Sequence, residues 1–157
     1  MRLLIGILIA APLMFGQQSA PQTFTSAADV VSMMEKAKLE RKSDEANLIQ
    51  PLLRSTPYRV NMEYRVQGID TPPSAHPTAV EVCYVIEGAA MLTTGGKLQA
   101  EERSGANLVG TGIEGGTSRP IAKGDFFLIP ENTPHSFHTT AATLVIMSMH
   151  LPVSQGK

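Results

Sequence analysis

The sequence predicts an all-β chain, a single antiparallel β-barrel preceded by a short helix. Three observations carry that expectation. From Tyr58 to Val66 apolar and polar residues alternate with period two, the mark of a strand with two unlike faces. Further short apolar segments follow, separated by turn-forming Gly88, Gly95-Gly96, Gly115-Gly116, Lys123-Gly124 and Pro130 to Pro134. The composition agrees, with 13 Gly and 11 Pro but no Trp, which suits short strands and many turns better than a helical bundle. At 157 residues the chain is the size of one domain, and 43% apolar with 17% charged residues argues against disorder. A net charge of -1, from 13 basic and 14 acidic side chains, gives no basic footprint, so no nucleic-acid partner is expected.

The first twenty residues stand apart. Arg2 precedes an apolar run from Leu3 to Phe15, and polar Gln17, Gln18 and Ser19 lead to the small Ala20. That is the layout of a secretory signal, and a run of 13 residues is too short for a hydrocarbon core that needs about 20. Residues 1–20 are therefore read as a signal peptide, with an uncleaved anchor as the alternative, and the mature protein as periplasmic or secreted without a membrane span. The lone thiol, Cys83, cannot form an internal disulfide, so stability rests on the core. The rest divides into a helix and connector (21–56), a barrel (57–152) and a tail (153–157).

Thr25 or Ser26 can cap a helix, with Asp29 three residues after Ser26, and Val30, Met33, Met34 and Ala37 recur at helical spacing. The helix is expected from Ser26 to Lys42, its methionines filling core space rather than binding metal. In the strand that follows, Tyr58, Val60, Met62, Tyr64 and Val66 share one face and Arg59, Asn61, Glu63 and Arg65 the other. The polar face is read as solvated or cross-strand paired, in preference to a cavity wall holding an anion. Further strands are expected at Glu81 to Glu87, Ala89 to Thr94, Asp125 to Ile129, His135 to Thr139 and Thr143 to Leu151.

Two segments carry chemistry: Ser74-Ala75-His76-Pro77-Thr78-Ala79-Val80-Glu81, and Gly124 to His135. Two imidazoles and one carboxylate form a facial triad that leaves coordination positions open on a first-row divalent metal. His76, Glu81 and His135 could supply that triad, but only a barrel would bring together residues 54 positions apart. Strand alternation puts His138 on the side opposite His135, at the surface. His150, on the last strand, is a reserve candidate whose ordinary reading is a core or edge histidine. Cys83 shares the parity of Glu81 and is read as a small buried hydrophobe.

These segments resemble the cupin superfamily of RmlC-like barrels, whose first motif runs G-x5-H-x-H-x3-4-E-x6-G and second G-x5-P-x-G-x2-H-x3-N. Gly68, His76, Glu81 and Gly88 fit the first, and Gly124, Pro130 and His135 the second. Ser74 stands where the first motif histidine would be, so one usual ligand is missing. Asn132 replaces the motif glycine, which Asn tolerates because it can adopt the left-handed conformation, and Thr139 replaces the final asparagine.

The resemblance implies a double-stranded β-helix of jelly-roll type, paired as a homodimer, with a divalent metal (Fe, Mn, Zn or Ni) at His76, Glu81 and His135. It also implies a small-molecule ligand and oxygenase, isomerase or lyase chemistry, with Tyr64 or Arg59 at most orienting substrate. Two other function classes remain beside it: a non-catalytic module binding a sugar or other small molecule, and a structural dimer with a degenerate site.

Overall fold

A computed structural model describes residues 20–153, so the signal reading falls, except for Ala20, outside the described residues. One helix, α1 (Ala27–Glu40), opens the fold. Ser26 caps it through a reciprocal box: the Ser26 hydroxyl accepts from the Asp29 amide at 3.1 Å, and Asp29 Oδ2 accepts from the Ser26 amide at 3.1 Å. The strands follow as β1 (Asn47–Ser55), β2 (Tyr58–Val66), β3 (Ser74–Ala75) and β4 (Ala79–Thr94). Short strands β5 (Lys97–Gln99), β6 (Glu102–Ser104), β7 (Asn107–Val109), β8 (Gly112–Glu114) and β9 (Thr117–Ala122) come next, then β10 (Phe126–Ile129) and β11 (His135–Pro152). The helix ends at Glu40, two residues before the expected Lys42.

Nine of these strands form one curled antiparallel sheet, while β5 and β8 make a separate two-stranded ladder. The long β11 is the spine, pairing with β2 along one edge and with β4 along the other. Two expected pairs of short strands are in fact single long ones, β4 and β11. Gly88 is no turn: it sits inside β4 with φ at +86° opposite the irregularity in β11, where its α-hydrogen faces the Thr143 carbonyl. The strand β1, which lies in the segment read as a connector, carries Pro51 and a register shift beside it. It sits at the sheet edge, where a proline removes no needed ladder bond.

Two apolar clusters lie on opposite sides of β2 and β11. Val60, Met62 and Tyr64 pack with Leu52 and Ala37 beneath Val30, Met33 and Met34 of the helix. The second cluster fills the barrel with Cys83, Val85, Leu92, Ile129, Phe137 and Ile146. The face of β2 read as solvated or cross-strand paired is the interior wall, paired and not solvated at Glu63 and Arg65, which are only 6% and 7% exposed. Their pairing explains why burial is tolerated, since Arg65 Nη2 donates to Glu63 Oε2 at 2.7 Å and Ser148 and Asn47 donate to the same carboxylate at 2.7 and 2.8 Å. Arg59, on the same face, is at the barrel mouth and exposed.

A β-carbon at position 88 would lie 1.9 Å from the Thr143 carbonyl oxygen, in a backbone conformation that side chains avoid. Gly88→Ala is expected to destabilise the fold by about 2–5 kcal/mol, from backbone strain and overpacking together. Urea unfolding measures this, and a loss below about 0.5 kcal/mol, the size of an ordinary surface change, would contradict it.

Candidate metal centre

The site is assembled from both ends of the barrel's long strands. Glu81 lies near the start of β4, with its side chain on the interior parity shared by Cys83 and Val85. His135 opens β11, paired in register with Ser74 on one side and Thr94 on the other. His76 follows β3, and its carbonyl accepts the Asn132 amide at 2.9 Å, which ties the first segment to the turn of the second. Asn132 adopts the left-handed conformation expected of the residue replacing the motif glycine, with φ at +53°.

One ligand-type atom from each of His76, Glu81 and His135 lies within 4.8 Å of the other two. His76 Nε2 and His135 Nε2 are 3.3 and 3.2 Å from Glu81 Oε2. Neither nitrogen is aligned to donate to it, and Oε2 is a buried oxygen without a hydrogen-bond partner. The other ring nitrogens are occupied: His76 Nδ1 lies 2.8 Å from Asn107 Oδ1, and His135 Nδ1 lies 3.0 Å from the Thr133 carbonyl. Both partners are acceptors, so each Nδ1 carries the proton and, in the neutral rings, each Nε2 presents a lone pair towards the carboxylate. Two lone pairs and an anionic oxygen repel one another unless a cation lies among them.

A third imidazole is present. His150 pairs in register with Glu81, its Nε2 is 3.6 Å from Glu81 Oε1, and its ring centroid is 4.4 Å from that of His76. Beside these groups is a cavity of about 200 Å³, also lined by Asn47, Arg65, Thr71 and Ser74. That is below the 300–1,000 Å³ of pockets for drug-sized ligands, so it suits a small molecule.

The family model for Cupin matches residues 50–155, more than half of the sequence. The chain is a cupin. Solved structures with the same architecture include BH2720 from Bacillus halodurans, at 16% identity and a TM-score of 0.58, covering 88% of this cupin and 87% of that chain. A conserved protein with a double-stranded beta-helix domain from Klebsiella pneumoniae subsp. pneumoniae MGH 78578 has 16% identity and a TM-score of 0.54, covering 74% and 85%. The DMSP lyase DddQ from Ruegeria pomeroyi DSS-3 has 16% identity and a TM-score of 0.56, covering 88% and 71%. Such likeness shows the double-stranded β-helix fold. No curated protein matches the sequence.

In this cupin Ser74, at the position of the missing motif histidine, has its Oγ 3.5 Å from His135 Nε2. His138 is on the outer side as expected, paired with Asp70 at 2.6 Å. Cys83 is buried beside Glu81, and burial, reinforced by the charges of Glu81 and Glu63, pushes its thiol pKa far up, so it is inert. Tyr64 does not orient substrate, because its side of β2 faces the helix and not the cavity. Asn107, which fixes the His76 tautomer, comes from the Gly- and charge-rich segment between the motifs, where no sequence signal marks it.

Electrostatics give the metal-free site a defined pH response. Burial works to lower the His76 pKa, but contact with the Glu81 carboxylate and with Asn107 outweighs it, and the net shift is upward. Burial works to raise Glu81, and the contacts with His135, His150 and His76 outweigh it, holding the carboxyl well below the ordinary value of 4.5. A raised imidazole contributes stability that is full below its unfolded pKa of about 6.5 and is lost as pH rises through the folded value. A lowered carboxyl contributes stability that is full above its unfolded pKa and is lost as pH falls through the folded value. The two together are expected to make metal-free protein most stable between about pH 4.5 and 6.5, with stability falling above that window. Thermal melts of chelator-treated protein across pH check this; stability that keeps rising above pH 6.5, by the reference value for histidine, would contradict it.

Proposed function

We propose that this cupin binds one divalent metal ion through His76 Nε2, His135 Nε2 and Glu81 Oε2, and that it acts on a small organic molecule in the adjoining cavity. The orphaned Glu81 Oε2, facing two imidazole lone pairs at 3.2 and 3.3 Å, is the observation that carries the reading. The donor set fits: two neutral nitrogens and one carboxylate suit Fe, Mn, Zn or Ni, and the tautomers are already fixed by Asn107 and the Thr133 carbonyl. When bound, the metal supplies Lewis acidity, polarising an oxygen of the substrate. Ser74 contributes a hydroxyl where the family motif has an imidazole, which leaves room on that side for water or substrate.

The fold relatives include a DMSP lyase and an Fe(II) protein, HppE, which supports keeping lyase and oxygenase chemistry, with isomerase chemistry, as the reaction classes. Export to the periplasm or exterior is part of the same proposal and is supported by the charge and hydropathy layout of residues 1–20. Pairing of two copies is supported by an exposed apolar row: Phe126 and Leu128 on β10, with Tyr84 opposite Phe126 on β4. A row of this kind favours a protein contact. No helix among the described residues is long and apolar enough to cross a membrane.

Calorimetric titration with Fe(II), Mn(II) and Zn(II) tests the metal assignment. Wild type is expected to bind one ion per chain, and His135→Ala to lose tight binding while keeping its strand circular dichroism. Ser74→His places an imidazole beside His135 and is expected to tighten binding by at least about 10–100-fold, the range already seen for changes behind the ligands. Equal affinities in the three proteins would overturn the assignment.

A further inference from the structure

Around the same cavity stand polar residues whose groups the protein itself does not fully satisfy. Arg65 is 7% exposed; its Nη2 donates to Glu63 and its Nη1 to Thr71 Oγ1 at 2.7 Å, yet its Nε is buried without a partner. Asn47 donates through Nδ2 to Glu63, while its Oδ1 is likewise buried and unpaired. Thr71, accepting from Arg65, keeps its own hydroxyl hydrogen to donate. Arg65, Asn47 and Thr71 all line the same cavity as His76, Glu81 and His135.

The guanidinium is held rigidly. Its carbon sits 4.8 Å from the centre of the Phe137 ring, which in turn meets the His135 ring edge-on at 6.1 Å. Glu63 has both oxygens covered, Oε1 by Ser148 and Oε2 by Asn47 and Arg65, so its charge is directed into the wall. Leaving buried polar groups unpaired costs free energy, and a ligand that pairs them recovers it. The unpaired donors call for an acceptor, best an anionic one, because charge-assisted hydrogen bonds are about twice as strong as neutral ones. The unpaired Asn47 oxygen calls for a donor.

We infer that the cavity takes a small organic carboxylate bearing a hydroxyl or amino group, its carboxylate held by Arg65 and Thr71 and its donor by Asn47. A volume of about 200 Å³ limits it to a compact molecule, since pockets for drug-sized ligands run to about 300–1,000 Å³. The inference deepens the proposed function by naming a substrate class, and relies on the metal only for the ligand's other end.

Lactate, propionate and lactamide form a matched set: carboxylate with hydroxyl, carboxylate alone, and hydroxyl without charge. Titrated calorimetrically into metal-free and Zn(II)-loaded protein, they are expected to bind in the order lactate, propionate, lactamide. Arg65→Met alone strands Glu63 in the wall and threatens folding. The companion Glu63→Gln/Arg65→Met removes both charges together; in it lactate affinity is expected to fall about 10–100-fold, to the lactamide level, with Zn(II) affinity unchanged. Asn47→Ala is expected to bring lactate down to propionate. Equal binding of lactate and lactamide by wild type, no saturable lactate binding, or an unchanged lactate affinity in the folded double variant would each overturn the inference. The preference of metal-free protein for lactate over lactamide separates the two proposals: its persistence when Zn(II) fails to bind would sink the metal centre and leave the carboxylate site standing.

Discussion

A carboxylate kept in the barrel interior sets the terms for everything around it. Glu81 is 3% exposed, and an isolated carboxylate that is so buried is far out of balance unless positive charge or hydrogen-bond donors surround it. Three imidazoles come to it from three separate points of the chain, but two of them have their outer nitrogens engaged by Asn107 and the Thr133 carbonyl, so their neutral rings turn lone pairs towards it and leave its charge for a proton or a cation to balance. The register of the long strands sets His150 beside Glu81, and the turn through Asn132 holds the His76 segment by a backbone hydrogen bond. At low pH a proton on His76 can meet the charge of Glu81; at neutral pH a divalent cation is the partner that the donor set fits.

The same economy of charge appears elsewhere around the cavity. Glu63 and Arg65 neutralise each other inside the barrel and are braced by Ser148, Asn47 and Thr71, so the interior is a polar chamber above an apolar floor. Placing an ion pair there contributes little net stability compared with an apolar replacement. Its presence is better explained by what it offers to a ligand, namely a rigid guanidinium, with an unused N–H, among the residues that line the same cavity as the proposed metal ligands.

The family motifs made the fold and three clustered side chains legible, because Glu81, Gly88, Gly124, Pro130 and His135 keep spacings set by the barrel. Gly88 shows why such spacing persists: the backbone of β11 leaves no room for a β-carbon there. Other features were hidden for physical reasons. Alternation in β2 told its two faces apart but not which was inside, since both are buried, one under the helix and one in the barrel; hence Arg65 and Glu63 were read as solvated or cross-strand paired, and Tyr64 as at most orienting substrate. His150 reaches Glu81 only through the register of β11 against β4, across 69 positions with an irregularity between. Glycine within a strand reads as a break, which cut β4 in two, and Pro51 concealed an edge strand.

Anomalous diffraction from crystals of untagged protein, purified from the compartment to which it is delivered and scanned at the absorption edges of first-row metals, bears most directly on the central claim. The account expects one peak per chain, about 2.0–2.2 Å from His76 Nε2, His135 Nε2 and a Glu81 oxygen. No peak at that point in crystals soaked with Fe(II), Mn(II) or Zn(II), with the two imidazoles instead hydrogen-bonded directly to Glu81, would contradict it.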